Sequence, residues 1–238
     1  MKGTESLGTN AVKFMPLPDL GESFLAFLGE ATYPCVGAKS ALARGCIETH
    51  EFSMLGDRCN DRPMLDALCR FVARIEAAAC DEDIVHSLAA IFGGPSHMSE
   101  FRFESLLWSQ LWRVHKLDLL AGNHPADDVS SDTDSPLFSL SLAGHPFFVI
   151  GLHAHASRLA RRFSHPVLVF NSHRQFENLR ADGRFEKMQA ATRARDIELQ
   201  GSLNPNLAEY GEASEARQYS GREVEAGWRC PFDFRTKR

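Results

Sequence analysis

The sequence lacks the signatures of several common protein classes. Its six cysteines form no Cys-x-x-Cys pair, which argues against a zinc framework or a small disulfide scaffold and favours reduced, mostly buried thiols. It holds no glycine-rich nucleotide fingerprint, so neither a flavin nor a nicotinamide cofactor is predicted. The first fourteen residues contain no apolar segment of the kind that directs secretion. Together these absences favour a cytoplasmic protein.

Long apolar runs are also scarce. Residues 135–157 carry no Asp, Glu, Lys or Arg, but glycine, proline, serine and histidine interrupt the segment. Because a membrane span needs about 20 predominantly apolar residues, we interpret this segment as a buried hairpin and expect no membrane partner.

Lysine is rare, with 6 residues against 20 arginines, in a chain whose net charge is -5. The acidic balance disfavours nucleic acid as a partner. The excess of arginine favours planar, bidentate binding of anions, although GC-rich codons would produce the same excess. The remaining composition, 44% hydrophobic and 24% charged, is typical of a globular protein that can bury a core.

The apolar periodicity predicts an α+β fold, with a helical N-terminal half packed against a small, mostly antiparallel sheet and surrounding helices. Residues 1–20 are expected to be a flexible lead-in, and residues 21–238 a single domain. The predicted helices cover residues 22–30, 36–44, 63–79, 81–92, 99–119, 156–163, 174–181 and 184–199. The predicted strands cover residues 46–52, 137–143, 146–152 and 166–170.

The segment from residue 144 to residue 222 is unusually rich in compact polar strings. It holds five of the ten histidines and ten of the twenty arginines. The strings are GLHAHASR, FNSHRQFE, LQGSLNPN and GEASEARQYSGR. Imidazole, guanidinium, carboxylate and amide groups at this density predict a site for a polar or metallic ligand.

GLHAHASR places His153 and His155 where a predicted apolar strand ends. Alternate residues of a strand point the same way, so both rings could bind one metal ion. If a helix already begins at Ala154, the two rings diverge and one of them alone can bind the metal ion. The alternative is that both histidines bond to the backbone at the start of a helix.

Arg158, Arg161 and Arg162 have the spacing of one helix face. Three guanidiniums on one face predict a bound anion, such as a phosphate or the propionates of a haem. Salt bridges to the protein's own carboxylates are an equally good interpretation of the spacing.

Further candidates follow the second predicted strand of this segment. His173 lies at the end of that strand, and Glu177 follows one helical turn later. The last string contributes Glu212, Glu215, Arg217, Tyr219 and Arg222, for which a solvent-facing loop is the alternative.

One further candidate, Cys35, lies near the N-terminus. It could be a thiolate ligand, but a buried structural thiol is the favoured interpretation.

Several strings together resemble the YqcI/YcgG family. They are YPCVGAKSAL, HPFFVIGLHAHASRLARRF, PVLVFNSHRQFENLR, RARDIELQGSLNPNLAEYGEASEARQYSGR and WRCPF. The resemblance runs from Tyr33 to Phe232 and is dense from Gly144 onward. Characterised members of this family are haem-dependent N-hydroxylases of the guanidino groups of arginine or arginine-like amino acids, in pathways to guanitoxin, D-cycloserine and a phosphonate natural product. One departure is Ala154, where the family pattern has a proline after the first histidine.

The resemblance implies a haem b cofactor, a guanidino substrate such as L-arginine, and an external electron donor or peroxide. His153 is the preferred iron ligand, with His155 and His173 as alternatives. A carboxylate from Glu177, Glu212 or Glu215 is expected to pair with the cationic substrate. The remaining cofactor contacts are expected from Arg158, Arg161, Arg162, Arg217, Tyr219 and Arg222. A homodimer is compatible with the sequence.

Two other hypotheses compete with this one. The first is a non-catalytic module that binds haem or a gas. The second is a mononuclear zinc or iron hydrolase that uses His153 and His155. The second is disfavoured because such enzymes normally carry the His-x-His pair on the first strand of a large barrel, and too little chain follows residue 155.

Overall fold

The computed structural model describes residues 19–77, 85–208 and 210–234. They form a five-stranded mixed sheet with helices on both faces, so the predicted α+β class is confirmed. The strands are β1 (Ile47–Met54), β2 (Ser87–Gly94), β3 (Leu140–Leu142), β4 (His145–Leu152) and β5 (Val167–Ser172). Their order in the sheet is β1-β2-β5-β4-β3. The β1–β2 pair is parallel and the other three pairs are antiparallel, as the prediction of a mostly antiparallel sheet requires.

Seven helices surround the sheet in the part of the chain that the structure describes. They are α1 (Leu20–Gly29), α2 (Val36–Ala43), α3 (Asp61–Ala77), α4 (Glu100–Leu120), α5 (His173–Ala181), α6 (Arg184–Gln200) and α7 (Ala216–Tyr219). Short 3-10 turns occur at Arg58–Asn60 and Leu159–Arg161. Residues 1–18 of the predicted lead-in lie outside the described residues. None of the described helices combines the length and the apolar character needed to cross a bilayer.

The helix predicted over residues 81–92 is wrong. Residues 81–84 lie outside the described residues, and β2 begins at Ser87. Its sequence SLAAIFGG is a short apolar run, for which periodicity does not distinguish a buried helix from a buried strand. β2 lies between β1 and β5 and is buried on both faces, so the tertiary structure makes it a strand.

The helix predicted over residues 156–163 is also wrong, because a three-residue 3-10 turn alone forms there. Contacts with other elements hold this segment in an irregular path. The Ser157 backbone N–H donates to Glu100, and the Leu159 backbone N–H donates to Gln200. These two donors therefore have partners outside the segment, and a helix is not needed to satisfy them.

The two faces of the sheet pack against different helices. On one face, alternate residues such as Leu88, Phe147 and Phe170 join α3, α4 and the C-terminal segment in the main core. On the other face, Ala89 and Val167 pack against α1 in a smaller core. The smaller core leaves room between this second face and the helices that cover it.

Tyr219, predicted as a cofactor contact, is fully buried in the main core. Its ring stacks on Trp108 at 5.5 Å between centroids. Its hydroxyl donates to the carbonyl of Phe147 at 3.0 Å and accepts from the backbone N–H of Leu140 at 3.2 Å. Tyr219 therefore joins α7 to β3 and β4.

Gly151 provides a test of the packing between β4 and α4. A Cβ at Gly151 would lie 2.6 Å from Phe103 Cε1 and 2.9 Å from the Tyr219 carbonyl oxygen. We expect Gly151→Ala to lower the free energy of unfolding by about 1–3 kcal/mol, because the ring and the backbone cannot both move away.

The matched control is Gly93→Ala in β2, where the nearest atoms to an added Cβ are at 3.7 and 3.8 Å. This change should alter stability by less than about 0.5 kcal/mol. Urea denaturation of both variants measures the difference. Equal stabilities would contradict the packing described here.

Candidate functional site

A cavity of about 310 Å³ lies between the second face of the sheet and helices α1, α2, α5 and α6. Its volume is at the lower end of the range for small-molecule sites. Phe148, Ile150 and Val169 form its floor, and Phe24, Phe185 and Met188 contribute to the helical walls. The surface of the cavity is thus mainly apolar, and the ionisable side chains that line it include Cys35, Arg161, His173, Arg180, Arg193, Asp196 and Glu215.

The pairing of β4 with β5 builds the floor. Phe148 lies opposite Asn171, and Ile150 lies opposite Val169. Because side chains alternate across a strand, these residues share one face while their neighbours enter the main core. The hydroxyl of Ser172, the last residue of β5, accepts from the Gln175 N–H and caps α5. His173 therefore begins α5 at the edge of the cavity.

His173 and Glu215 are in contact on the cavity wall. The distance from His173 Nδ1 to Glu215 Oε1 is 3.3 Å, and His173 Nε2 lies 3.5 Å from Glu177 Oε1. Glu215 is 6% exposed, and its Oε2 has no hydrogen-bond partner. A buried carboxylate oxygen without a partner is unfavourable by itself. Glu215 is therefore suited to receive a cationic ligand.

Arg161 lies on the same wall, toward the C-terminal end of β4. Its Nη1 donates to the carbonyls of Gly151 and Tyr219, each at 3.2 Å. Burial lowers the pKa of Arg161 to about 10, so the side chain remains cationic at neutral pH. Gly221 has a φ of +81°, and a Cβ there would lie 2.6 Å from Arg161 Cδ. The turn at Gly221 thus permits the buried position of this guanidinium.

Two further arginines, Arg180 and Arg193, line the cavity from α5 and α6. Arg180 pairs with Glu177 and lies over the ring of Phe185 at 4.1 Å. The lining of the cavity therefore contains cationic groups from three elements together with the carboxylates of Asp196 and Glu215.

Cys35 lines the cavity at the start of α2. Its Sγ accepts from the backbone N–H of Ala38 at 3.4 Å and so caps the helix. Burial raises the pKa of the Cys35 thiol, while the backbone N–H groups of Ala38 and Gly37 act in the opposite direction. The described cysteines Cys35, Cys46, Cys59, Cys69 and Cys230 are free, and Cys80 lies outside the described residues.

Three of the predicted site residues, Arg161, His173 and Glu215, line the cavity. The structure does not bring His153 or His155 to it. The His153 ring stacks on Phe103 at 4.4 Å, and burial lowers the pKa of His153 to about 4. His155 Nε2 instead lies 3.2 Å from His97 Nδ1. The described residues contain no group of three side chains from His, Cys, Asp and Glu that could hold a metal ion.

The three closely spaced arginines do not share one face, because the segment is not a helix. Arg158 pairs with Asp196 and donates to the carbonyl of Ser202, whereas Arg162 donates to the carbonyl of Ala156. The predicted helix face is therefore wrong, and for Arg158 the structure agrees with the alternative interpretation, a salt bridge to one of the protein's own carboxylates.

The remaining predicted residues lie outside the cavity. Glu177 is half-exposed, and Glu212 is exposed. Arg217 donates to the carbonyls of Glu225 and Trp228. Arg222 is buried, where it pairs with Glu104.

Arg180 and Arg193 were missing from the sequence-based candidates. The sequence does contain a signal for Arg180. Spacings of three and four residues place His173, Phe176 and Arg180 on one face of α5, and all three side chains line the cavity. For Arg193 no comparable signal exists, because α6 has no buried residue and no clear apolar stripe.

Comparison with protein families gave one result. The family model described as the YqcI/YcgG family matches residues 24–233. No curated protein and no solved structure matched the chain.

The position of His153 predicts an acid-sensitive contribution to stability. Its pKa is lowered from 6.5 to about 4 in the folded protein, mainly by burial. The neutral His153 ring contributes to the free energy of unfolding above about pH 6.5, and this contribution is lost as the pH falls toward 4, because the unfolded chain binds the proton more readily than the folded chain. Between about pH 7 and about pH 5, the free energy of unfolding should therefore fall by about 1–2 kcal/mol less in His153→Gln than in the unmodified protein.

Urea denaturation at the two pH values measures this difference. His145, whose pKa burial also lowers to about 4, stays in both proteins and contributes equally to both. An unchanged pH dependence in the variant would show that His153 is protonated as easily in the folded as in the unfolded chain.

Proposed function

Because the chain belongs to the YqcI/YcgG family, we propose that it is a haem-dependent monooxygenase that hydroxylates a guanidino nitrogen of L-arginine or an arginine-like amino acid. The observation that carries the proposal is Glu215, a buried carboxylate with one unpartnered oxygen on the wall of an apolar cavity. A guanidinium is the cation that matches a carboxylate in both charge and geometry.

The chemistry of the cavity wall supports a haem. A haem needs an axial donor, cations for its propionates and apolar surroundings for its ring. Cys35 or His173 would hold the iron, and Arg161, Arg180 and Arg193 would pair with the propionates. His153, the ligand preferred from the sequence, is packed against Phe103 outside the cavity, so a donor on the wall would hold the iron instead.

Glu215 is the group that would hold the substrate. Its Oε2 accepts from the guanidinium, while the contact of Oε1 with His173 Nδ1 fixes the orientation of the carboxylate. An arginine of the wall pairs with the carboxylate of the amino acid. Because the substrate is held at both its guanidinium and its carboxylate, the position of the reacting nitrogen is restricted. Such positioning supplies much of the rate enhancement in an oxidation of this kind.

When bound, the haem supplies the activation of dioxygen or peroxide. With dioxygen, one guanidino N–H, one O2, two electrons and two protons give one N–OH and one water. With peroxide, N–H and H2O2 give N–OH and water without added electrons. The electrons of the first reaction come from an external one-electron donor. The apolar floor, with Phe148 and Ile150, limits the access of water to the reacting nitrogen.

The reaction is tested with purified, haem-loaded protein, L-arginine, a reductant and air. We expect a hydroxylated arginine, detected by mass spectrometry as a product heavier by one oxygen. The absence of any hydroxylated product across a panel of guanidino amino acids, with either dioxygen or peroxide, would contradict the proposed activity.

Glu215→Gln tests the assignment of the substrate carboxylate. Loss of one partner of a buried charged pair costs about 2–5 kcal/mol, so the Kd for L-arginine should rise by at least about 30-fold. The measurement is the change in the haem absorption spectrum during titration with L-arginine. Haem binding itself should persist.

The matched control is Glu212→Gln, an exposed glutamate in the same loop that does not line the cavity. It should bind L-arginine as the unmodified protein does. If Glu215→Gln also left the titration unchanged, the protein would be better described as a haem-binding module without this substrate site.

A further inference from the structure

We infer that Arg161 and Tyr33 form a subsite for the free carboxylate of the substrate, so that the cavity selects guanidino acids over guanidino compounds whose carboxylate is absent or blocked. The inference rests on the proposed function and deepens it, since it names the chemical class that the site accepts. Two observations carry it. Arg161 forms no ion pair with a described residue, and Glu215 on the same cavity has an unpartnered carboxylate oxygen.

The guanidinium of Arg161 is fixed at the outer edge of the sheet. In the described sheet, β3 pairs with β4 no further than Phe147, which leaves the Gly151 carbonyl free to accept from Arg161 Nη1 at 3.2 Å. The Tyr219 carbonyl, at the end of α7, accepts from the same nitrogen at 3.2 Å. These two neutral carbonyls position the guanidinium, but they do not neutralise its charge.

The charge of Arg161 is therefore left without a counter-ion among the described residues. Asp196 is the carboxylate that acts on it electrostatically, and Asp196 is already paired with Arg158. Burial lowers the pKa of Arg161 to about 10, which reflects the cost of holding a cation away from water. Its Nε and Nη2 donate to no residue in the described ranges, so a ligand carboxylate can accept from them and offset this cost.

Tyr33 provides a second donor beside Arg161. Both side chains line the cavity, and they interact electrostatically. An edge contact with Phe27, at 5.1 Å between ring centroids, holds the ring of Tyr33. Burial raises the pKa of Tyr33, so the hydroxyl stays protonated at neutral pH and can donate a hydrogen bond. A guanidinium and a neutral hydroxyl are together suited to one carboxylate.

A short helix connects this subsite with Glu215. Glu215 directly precedes α7, and Tyr219, whose carbonyl accepts from Arg161, ends it. The helix rises by roughly 6 Å between these two backbone positions. α7 lies against β4, which supplies part of the apolar floor of the cavity. A guanidino acid has the complementary order of groups, a cation and an anion at two ends of an aliphatic chain.

The other arginines of the cavity wall are less suited to the substrate carboxylate. Arg180 pairs with Glu177 and lies over the ring of Phe185, and Arg193 also has an interaction partner. Their charges are thus partly compensated, whereas that of Arg161 is not. Because a guanidinium has five N–H donors, Arg180 and Arg193 can still pair with the haem propionates when Arg161 serves the substrate.

The test compares two ligands that differ at the carboxylate alone, L-arginine and L-argininamide. Isothermal titration calorimetry measures their Kd values with the purified, haem-loaded protein. We expect L-arginine to bind at least about 30-fold more tightly, because the amide leaves the buried guanidinium without an anion. Equal affinities for the two ligands would overturn the inference.

Arg161→Gln tests which residue produces this preference. In this variant the two Kd values should agree within about threefold. The matched control, Arg162→Gln, changes the neighbouring exposed arginine, which donates to the Ala156 carbonyl and does not line the cavity, and it should keep the full preference. A preference that persists in Arg161→Gln, or that disappears in Arg180→Gln instead, would overturn the assignment.

A second variant guards against a misfolded Arg161→Gln protein. Tyr33→Phe removes one hydroxyl and keeps the ring that contacts Phe27. Its Kd for L-arginine should rise by about tenfold, the effect of one hydrogen bond to a charged group, while its Kd for L-argininamide should change by less than about twofold. An unchanged Kd for L-arginine in Tyr33→Phe would contradict the subsite as described.

The binding measurements need no turnover, so their outcome is separate from that of the proposed function. A preference for L-arginine that depends on Arg161, in a protein that hydroxylates neither ligand, would remove the proposed activity and leave this inference. Hydroxylation of L-argininamide as readily as of L-arginine would keep the proposed activity and overturn the inference. Failure of the protein to bind either ligand would also overturn it.

Discussion

The antiparallel pairing of β4 with β5 is the constraint on which the site depends. Its register sends Phe147, Val149 and Phe170 into the main core and leaves Phe148 and Ile150 on the opposite face, where they become the cavity floor. A shift of the register by one residue would exchange the two faces and place the core residues in the cavity. The packing of the main core therefore determines the shape of the site as well as the stability of the fold.

The same pairing separates the two histidine-rich strings. Both His153 and His173 directly follow a strand, and from the sequence both could serve one site. Because β4 and β5 run in opposite directions, their ends lie at opposite edges of the sheet, separated by roughly 20 Å of strand. His173 reaches the cavity with Glu215, whereas His153 packs against Phe103 of α4. If the two strands were parallel, both histidines would lie at the same edge.

The polar groups of the cavity come from parts of the chain that are far apart in sequence. Cys35 is the N-cap of α2, Arg161 lies in the turn after β4, and Glu215 directly precedes α7. Each has a local role that a sequence pattern can suggest, such as the capping of α2 by Cys35. Their common environment is a property of the packing of α2, α5 and α6 over the sheet. In the proposed site, a thiol, a carboxylate and several guanidiniums therefore share a low-dielectric space in which each interaction is stronger than in water.

The sequence by itself determined most of the regular elements, the α+β class and the family, because these depend on local periodicity and on strings that keep their order along the chain. It also identified His173, Glu215 and Arg161 as candidates from their polar surroundings. The tertiary structure decided that residues 87–94 form a strand between two others, since a short apolar run fits a buried helix equally well. It also decided which of the candidate site residues lie together on the cavity wall. Strand direction and helix placement depend on contacts between residues that are distant in the chain, and no local sequence pattern predicts these contacts.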